Sequence, residues 1–417
     1  MSNNILTNDM IVDEALLLFE NNLRYLDCVH RGYEPDFKAS NNGYRKGSTV
    51  SIKVPAKVEV KTGAVLQIQD QTEGKRTVTV DTHVHVGIQF TAQDRTLKAS
   101  AFGERFLKDP MIKFADYVDR AVAANYKYVA NLSGSPGTAV DTFAKFNSAI
   151  TLATDLAMEK ANRQAVLNPN DFGALQSAFT GSQSEKIVEG VFGKRRLPVM
   201  SETPMSESAN APRHTVGVAT GTPRVNGASQ NVTHEATSTS RTQSLITDGW
   251  TNSTTGILKA GDQFTIANVY AVNPVNGQVL VDGAGNKVLR SFVVEADADS
   301  GASTGPATLT ISPKIITSGP YQTVDAAPAD DALITVKGTG GATYRQNLIM
   351  VPRWAHLTCV PLEPLEGIQG VTQKTANGLT LTMTPVADAQ NYVQAYRLDL
   401  LFGTGPLEPE HAMRFYG

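Results

Sequence analysis

Apolar residues first recur at Val12, Leu16, Phe19, Leu23 and Leu26, in alternating steps of four and three that put them on one face of an amphipathic helix. Thr7 or Asn8 can cap it, Asp9 sits in its first turn, and Gly32 and Pro35 close it. The period then drops to two. Val50, Ile52, Val54, Val58 and Val60 alternate with polar residues, and the alternation returns from Thr77 to Phe90. With Gly63, Asp70, Glu73 and Gly74 between them, these runs predict two long strands forming an extended β-hairpin with a polar tip. A lone hairpin is marginal in water, so this one must lie on its own chain's sheet or on a neighbouring copy.

Asp109-Pro110 opens a helix in the favoured way, and Phe114, Val118, Val122, Val129 and Leu132 extend the pattern to a stop at Gly134 and Pro136. A second helix is predicted over Val140 to Lys160, then a short strand, Ala165 to Leu167. In Asn168-Pro169-Asn170-Asp171-Phe172, Pro169 biases Asn168 away from helix and the polar residues can cap the next one. Beyond Leu197-Pro198-Val199-Met200 the chain turns rich in Thr, Ser, Asn and Gly. Short strands are predicted at Gln263–Val272, Gln278–Val281, Val288–Glu295, Ala307–Ser312 and Ala332–Val336, with Ala219 to Asn252 polar enough for a long loop. Apolar runs return at Leu348–Val351, Leu379–Met383 and Tyr392–Phe402, so the all-β unit reads as an insertion.

Composition narrows the function. The 417 residues, 41% hydrophobic, suffice for a large core and more than one domain. With 37 basic against 40 acidic residues and a net charge of -3, the chain as a whole has no excess of Lys and Arg from which to build a counterion-releasing DNA surface. The first 13 residues hold no Lys or Arg and include Asp9 and Asp13, the wrong charge order for a secretory signal, and no apolar run approaches membrane-spanning length. Cys28 and Cys359 have no metal-ligand spacing and read as packed thiols in a reducing compartment.

Little of the sequence carries catalytic chemistry. His83 and His85 share one strand face, but two ligands without a third do not define a metal site. Gly190-Val191-Phe192-Gly193-Lys194-Arg195 lacks Walker spacing, and the basic cluster Lys194, Arg195, Arg196 suits a solvated loop or a weak contact with nucleic acid. Asp282-Gly283-Ala284-Gly285-Asn286 offers too few oxygens for calcium and suits a hairpin turn. No nucleophile elbow or zinc-protease motif appears, so no catalytic residue, metal or cofactor is expected.

The order of elements, helical arm, long hairpin, spine helix, second helix, strand with Asn-Pro-x-Asp-Phe, β-rich insertion and closing strands, resembles the major coat proteins of tailed bacteriophages, whose capsid fold is shared with herpesviruses. It looks most like the branch of short-tailed Salmonella phages with an inserted six-stranded β-barrel. Val12-Asp13-Glu14, Asn168 to Phe172 and Leu197-Pro198-Val199 carry the closest matches. The resemblance implies an α+β fold divided into an arm (1–43), a hairpin loop (44–95), a spine-helix peripheral domain (96–137), an axial domain (138–220), the barrel (221–338) and closing strands (339–417). It further implies a non-enzymatic virion subunit, assembled in the host cytoplasm, that forms hexamers and pentamers of an icosahedral head. Its partners would be a scaffolding protein, a portal protein and, weakly and non-specifically, packaged DNA, with no membrane. Asp13 and Glu14 match the family's scaffold-contacting position, and a solvated helix face accounts for them equally. The alternatives are a phage tail or decoration protein, or a cytoplasmic hydrolase with a β accessory domain.

Overall fold

The computed structural model describes residues 12, 13, 15, 24–31, 49–69, 72–91, 107–179, 189–238, 240–364, 367–376, 378–388 and 393–417. They divide into two compact units, one of Met1–Ile52, Thr77–Ala123 and Ala355–Gly405, the other of Lys53–Arg76, Ala124–Trp354 and Pro406–Gly417.

In the first unit, Val12 and Ala15 are helical and buried, whereas Leu16, Phe19 and Leu23 of the predicted arm lie outside the described residues. Leu26 is not in that helix but opens a 3-10 turn, Leu26–Cys28. The turn is held by Asp119 of the helix Lys108–Ala123, whose Oδ1 accepts from the backbone N–H groups of Arg24 at 3.0 Å, Tyr25 at 2.8 Å and Leu26 at 3.3 Å. That helix buries Met111, Phe114, Val118 and Val122, the face its spacing predicts. In the unit's sheet, Val393–Pro406 runs antiparallel between Leu379–Asp388 and Thr82–Thr91, with Thr372–Ala376 outermost.

The single strand expected from Thr77 to Phe90 is two strands. Gly74–Thr79 pairs with Thr49–Val54, and Thr82–Thr91 pairs instead with Val393–Pro406, Val86 facing Leu398. The break at Val80–Asp81 is set from the partner strand: a Cβ on Gly403 would lie 2.1 Å from the Thr79 carbonyl oxygen, so the backbones cross at a distance only glycine permits.

The second unit centres on a mixed five-stranded sheet in the order Leu132–Ser133, Ala412–Phe415, Asn347–Met350, Gln164–Leu167, Met205–Glu207. The helices Phe143–Asp155 and Pro169–Ser177 share a core with it, Phe146 meeting Phe415 edge-on at 5.9 Å. The Asn-Pro-x-Asp-Phe segment does what its residues suggest. Asn168 caps the helix by accepting from Asn170 N at 3.0 Å and Asp171 N at 3.1 Å, with Pro169 in the first turn. Buried Asn168, Asp171 and Asn347 also bond to one another, locking helix to sheet.

The helix predicted to reach Gly134 stops at Ala123 and tightens to a 3-10 turn over Ala124–Tyr128. Tertiary partners claim the carbonyls a longer helix would keep: Arg414 Nε donates to Tyr126 O at 3.1 Å, and Gln263 Nε2 to Val129 O and Ala130 O, both at 3.0 Å.

Six antiparallel strands in the order Ile334–Val336, Gln263–Tyr270, Leu289–Val294, Ala307–Ser312, Gln243–Trp250, Gly221–Val225 form the β-rich part of this unit. Its ends meet through the bridge Arg224 to Leu333 and the bond from Val225 N to Ala332 O at 3.0 Å, so the sheet nearly closes into a barrel. Phe264 and Phe292 stack 5.7 Å apart in its core. Two expectations change. The run from Ala219 to Asn252 is no long loop, since it supplies two barrel strands. Gln278–Val281 makes only the bridges Val272 to Val279 and Val281 to Lys287. Asp282 to Asn286 is a turn, with Asp282 Oδ1 accepting from Ala284 N and Asn286 N.

Candidate functional site

The residues between Val54 and Gly74 carry the least protected apolar surface. Among those described, 55–69 and 72–73 form no strand, and Val60 is 95%, Leu66 84% and Ile68 88% exposed. The stretch expected as a polar tip thus also exposes apolar side chains, and Asp70 of that expectation lies outside the described residues. The loop nevertheless has a fixed shape. Gln69 acts as a side-chain rung, its Oε1 accepting from Glu59 N at 2.9 Å and its Nε2 donating to Glu59 O at 2.6 Å. At the base, Arg76 donates to Ser238 O at 3.1 Å and Ser238 Oγ at 2.9 Å, and Lys57 N donates to the Tyr321 hydroxyl at 3.1 Å. Each large apolar side chain of such a loop would gain about 1.5–3 kcal/mol if it were buried.

A second constellation holds the barrel to the central sheet. Besides the Gln263 bonds, Arg414 Nη1 donates to Gly261 O at 2.7 Å, and its guanidinium lies 5.1 Å over the Tyr126 ring. Burial lowers Arg414 below the ordinary arginine value, partly offset by neighbouring Tyr416, Tyr126 and Asp262. His214 Nε2 meets Asp262 Oδ1 at 2.7 Å, while Asp262 Oδ2 accepts from Gly217 N at 2.9 Å and Lys259 N at 2.7 Å. This arrangement satisfies buried backbone groups at the barrel's entry. A His–Asp contact here orients main chain, because both carboxylate oxygens are occupied.

Asp13, one of the two scaffold-contact candidates, lies 2.5 Å from Lys374 Nζ with an exposed side chain, and Glu14 lies outside the described residues. His83 Nε2 sits 2.8 Å from Asp399 Oδ1, and the His83 and His85 rings are 6.4 Å apart. Among the described residues no three His, Cys, Asp or Glu side chains are placed to hold a metal ion. The basic cluster is largely neutralised locally: Lys194 pairs with Glu189 at 2.7 Å and Arg195 with Glu207 at 2.9 Å, leaving Arg196 as the exposed remainder. Cys28 and Cys359 are buried, and burial pushes their thiols up to about 12 and about 11, far from reactive thiolates. No described helix is long and apolar enough to cross a membrane.

A nearly closed barrel joined to a mixed sheet, with an exposed apolar loop and no catalytic constellation among the described residues, has the character of a structural subunit. The family model described as "P22 coat protein - gene protein 5" matches residues 1–417, and the chain belongs to that family. It is a phage major capsid protein, a component of the virion that forms the icosahedral shell, and not an enzyme. A "Major capsid protein" of Acyrthosiphon pisum secondary endosymbiont phage 1 is 23% identical over 363 residues, covering 82% of this chain and 81% of its own. Solved structures it resembles include Mycobacterium phage Che8 (TM-score 0.41, 11% identity, 95% and 90% of the two chains). The capsid of Ralstonia phage GP4 is another (TM-score 0.43, 9% identity, 89% and 83%). Family membership sets aside the tail, decoration and hydrolase alternatives.

Proposed function

We propose that the subunit assembles by clasping its neighbours with the extended loop 55–69 and the N-terminal arm, building hexamers and pentamers of the head around DNA. The spine-helix segment (96–137) then forms the periphery of each tile, and segments 138–220 and 339–417 the axial part. The insertion (221–338) aids folding and the choice of shell size; strands beginning at Gly221 and ending at Val336 support those limits. Assembly takes place in the host cytoplasm with a scaffolding protein and a portal protein. Asp13 and Glu14 present acidic groups to the scaffold, and contact with DNA is weak and non-specific, in keeping with the paired charges of Lys194 and Arg195.

The exposed apolar loop carries this reading, because a chain that leaves Val60, Leu66 and Ile68 in water without a partner lowers its own solubility for no gain. The test is the double substitution Leu66→Asp and Ile68→Asp, examined by sedimentation and negative-stain microscopy with and without scaffold. The subunit should fold with unchanged circular dichroism and fail to form closed shells. Shells at wild-type yield would sink the clasping role.

A further inference from the structure

The second unit contains a cavity of about 430 Å³ whose lining joins the base of the extended loop (Lys57, Val58), the barrel (Arg290, Lys314, Tyr321) and the closing segment (Leu407 to His411). Its charge is lopsided: five Lys or Arg side chains reach its wall against two carboxylates, Glu235 and Glu410. Two of the cations are neutralised nearby, Lys314 by Glu235 at 2.8 Å and Arg241 by Glu295 at 2.7 Å.

Arg290 is different. It is 7% exposed, and its Nε is buried with no hydrogen-bond partner among the described residues. The Nδ1 of His411, on the same wall, is buried without a partner as well. Burial lowers Arg290 to about 10, the charge of Glu410 offsetting part of the effect, so the guanidinium remains a cation at neutral pH. A buried cation with an unmet donor is costly and is kept where something charged completes it. One part of the wall is apolar, formed by Leu156, Val272, Pro274, Val275 and Ile316, with the Tyr321 ring beside Lys57, whose Nζ lies 5.5 Å from its centroid.

We propose that this cavity binds a small organic anion, an oxyanion head on Arg290 and His411 with an apolar or aromatic body against the Pro274–Val275 and Tyr321 walls. Guanidinium is the group best suited to a planar or tetrahedral oxyanion, and the volume exceeds what a bare phosphate would fill. Because Lys57 belongs to the extended loop, an occupant touching it fastens the loop's base to the barrel.

The test uses the full-length unassembled subunit and calorimetric titration with phenyl phosphate, inorganic phosphate and phenol. Phenyl phosphate should bind at least ten-fold more tightly than inorganic phosphate, and phenol should not bind. Arg290→Met should weaken phenyl phosphate at least ten-fold while raising the denaturation midpoint, because it removes a buried charge whose Nε has no hydrogen bond. Should that variant fail to fold, Val275→Asp at the exposed rim, which adds a negative charge without touching the core, should weaken the same ligand at least three-fold. No binding by the wild-type subunit, equal binding of the two phosphates, or undiminished affinity in the folded variants would each overturn the proposal.

Discussion

Asp119 offers the sharpest test of how the chain before the spine helix is held. Its fully buried carboxylate receives three backbone N–H groups, from Arg24, Tyr25 and Leu26, through one oxygen. Asp119→Ala leaves the Tyr25 and Leu26 donors inside the unit with nothing to receive them, while the N–H of exposed Arg24 can turn to water. At about 1–3 kcal/mol for each buried unsatisfied group, with the 3.3 Å bond to Leu26 weighted least, the loss is about 2–4 kcal/mol. Asp119→Asn keeps an acceptor oxygen in place and removes the charge, so it should cost about 1–2 kcal/mol. Tryptophan fluorescence would miss both effects, since Trp250 and Trp354 belong to the other unit. Hydrogen exchange read by mass spectrometry on peptides covering 24–31 sees them directly: protection should collapse in the alanine variant and fall only modestly in the asparagine variant. Unchanged protection of Tyr25 and Leu26 in Asp119→Ala would show that the turn stands without its carboxylate and refute the argument.

Two further outcomes follow from buried groups. His356 is fully buried, its Nδ1 lies 3.0 Å from that of His30, and burial together with His30 holds it near 4 against an ordinary 6.5. The folded state therefore refuses a proton that the unfolded state accepts between those values: the contribution to stability is complete above pH 6.5 and declines as pH falls toward 4, by about 2 kcal/mol at pH 5. Urea titrations at pH 7.5 and pH 5, read by hydrogen exchange in the first unit, should show that loss in the wild type and not in His356→Leu. In the barrel, Phe264→Ala removes one of the two stacked rings from a fully buried position and should lower barrel stability by about 3–5 kcal/mol, measured by Trp250 fluorescence during denaturation. A loss under 1 kcal/mol would mean that the core refills.

Elements built on period and caps were legible in the sequence: the buried face of Lys108–Ala123, the strand Gln164–Leu167 and the cap at Asn168 all follow from residues close along the chain. What escaped was decided by partners far away. The spine helix ends early because Gln263 and Arg414, 137 and more positions downstream of Tyr126, take its carbonyls. The strand Gln243–Trp250 was hidden in a polar run because Thr247 faces inward, where it accepts from Trp250 Nε1 at 2.9 Å and donates to Ala307 O at 2.9 Å. A threonine satisfied in that way behaves as a core residue, but only the neighbouring strand reveals it.

The same physics explains why the chain's chemistry was so hard to locate from sequence motifs. Four of its buried polar side chains, Asp119, Asp262, Gln263 and Arg414, bond mainly to main chain and so fix the shape of a tile. Groups that terminate backbone hydrogen bonds have no characteristic spacing, because the carbonyls and amides they serve are set by topology. The proposed association surface has no motif for a parallel reason: Val60, Leu66 and Ile68 need only be apolar, exposed and held in one shape. A shell closed by symmetry repeats each such contact in every subunit, so modest burial per loop is enough, and stronger burial would trap misassembled forms. Weak, shape-held apolar contacts are therefore the expected solution for a coat subunit.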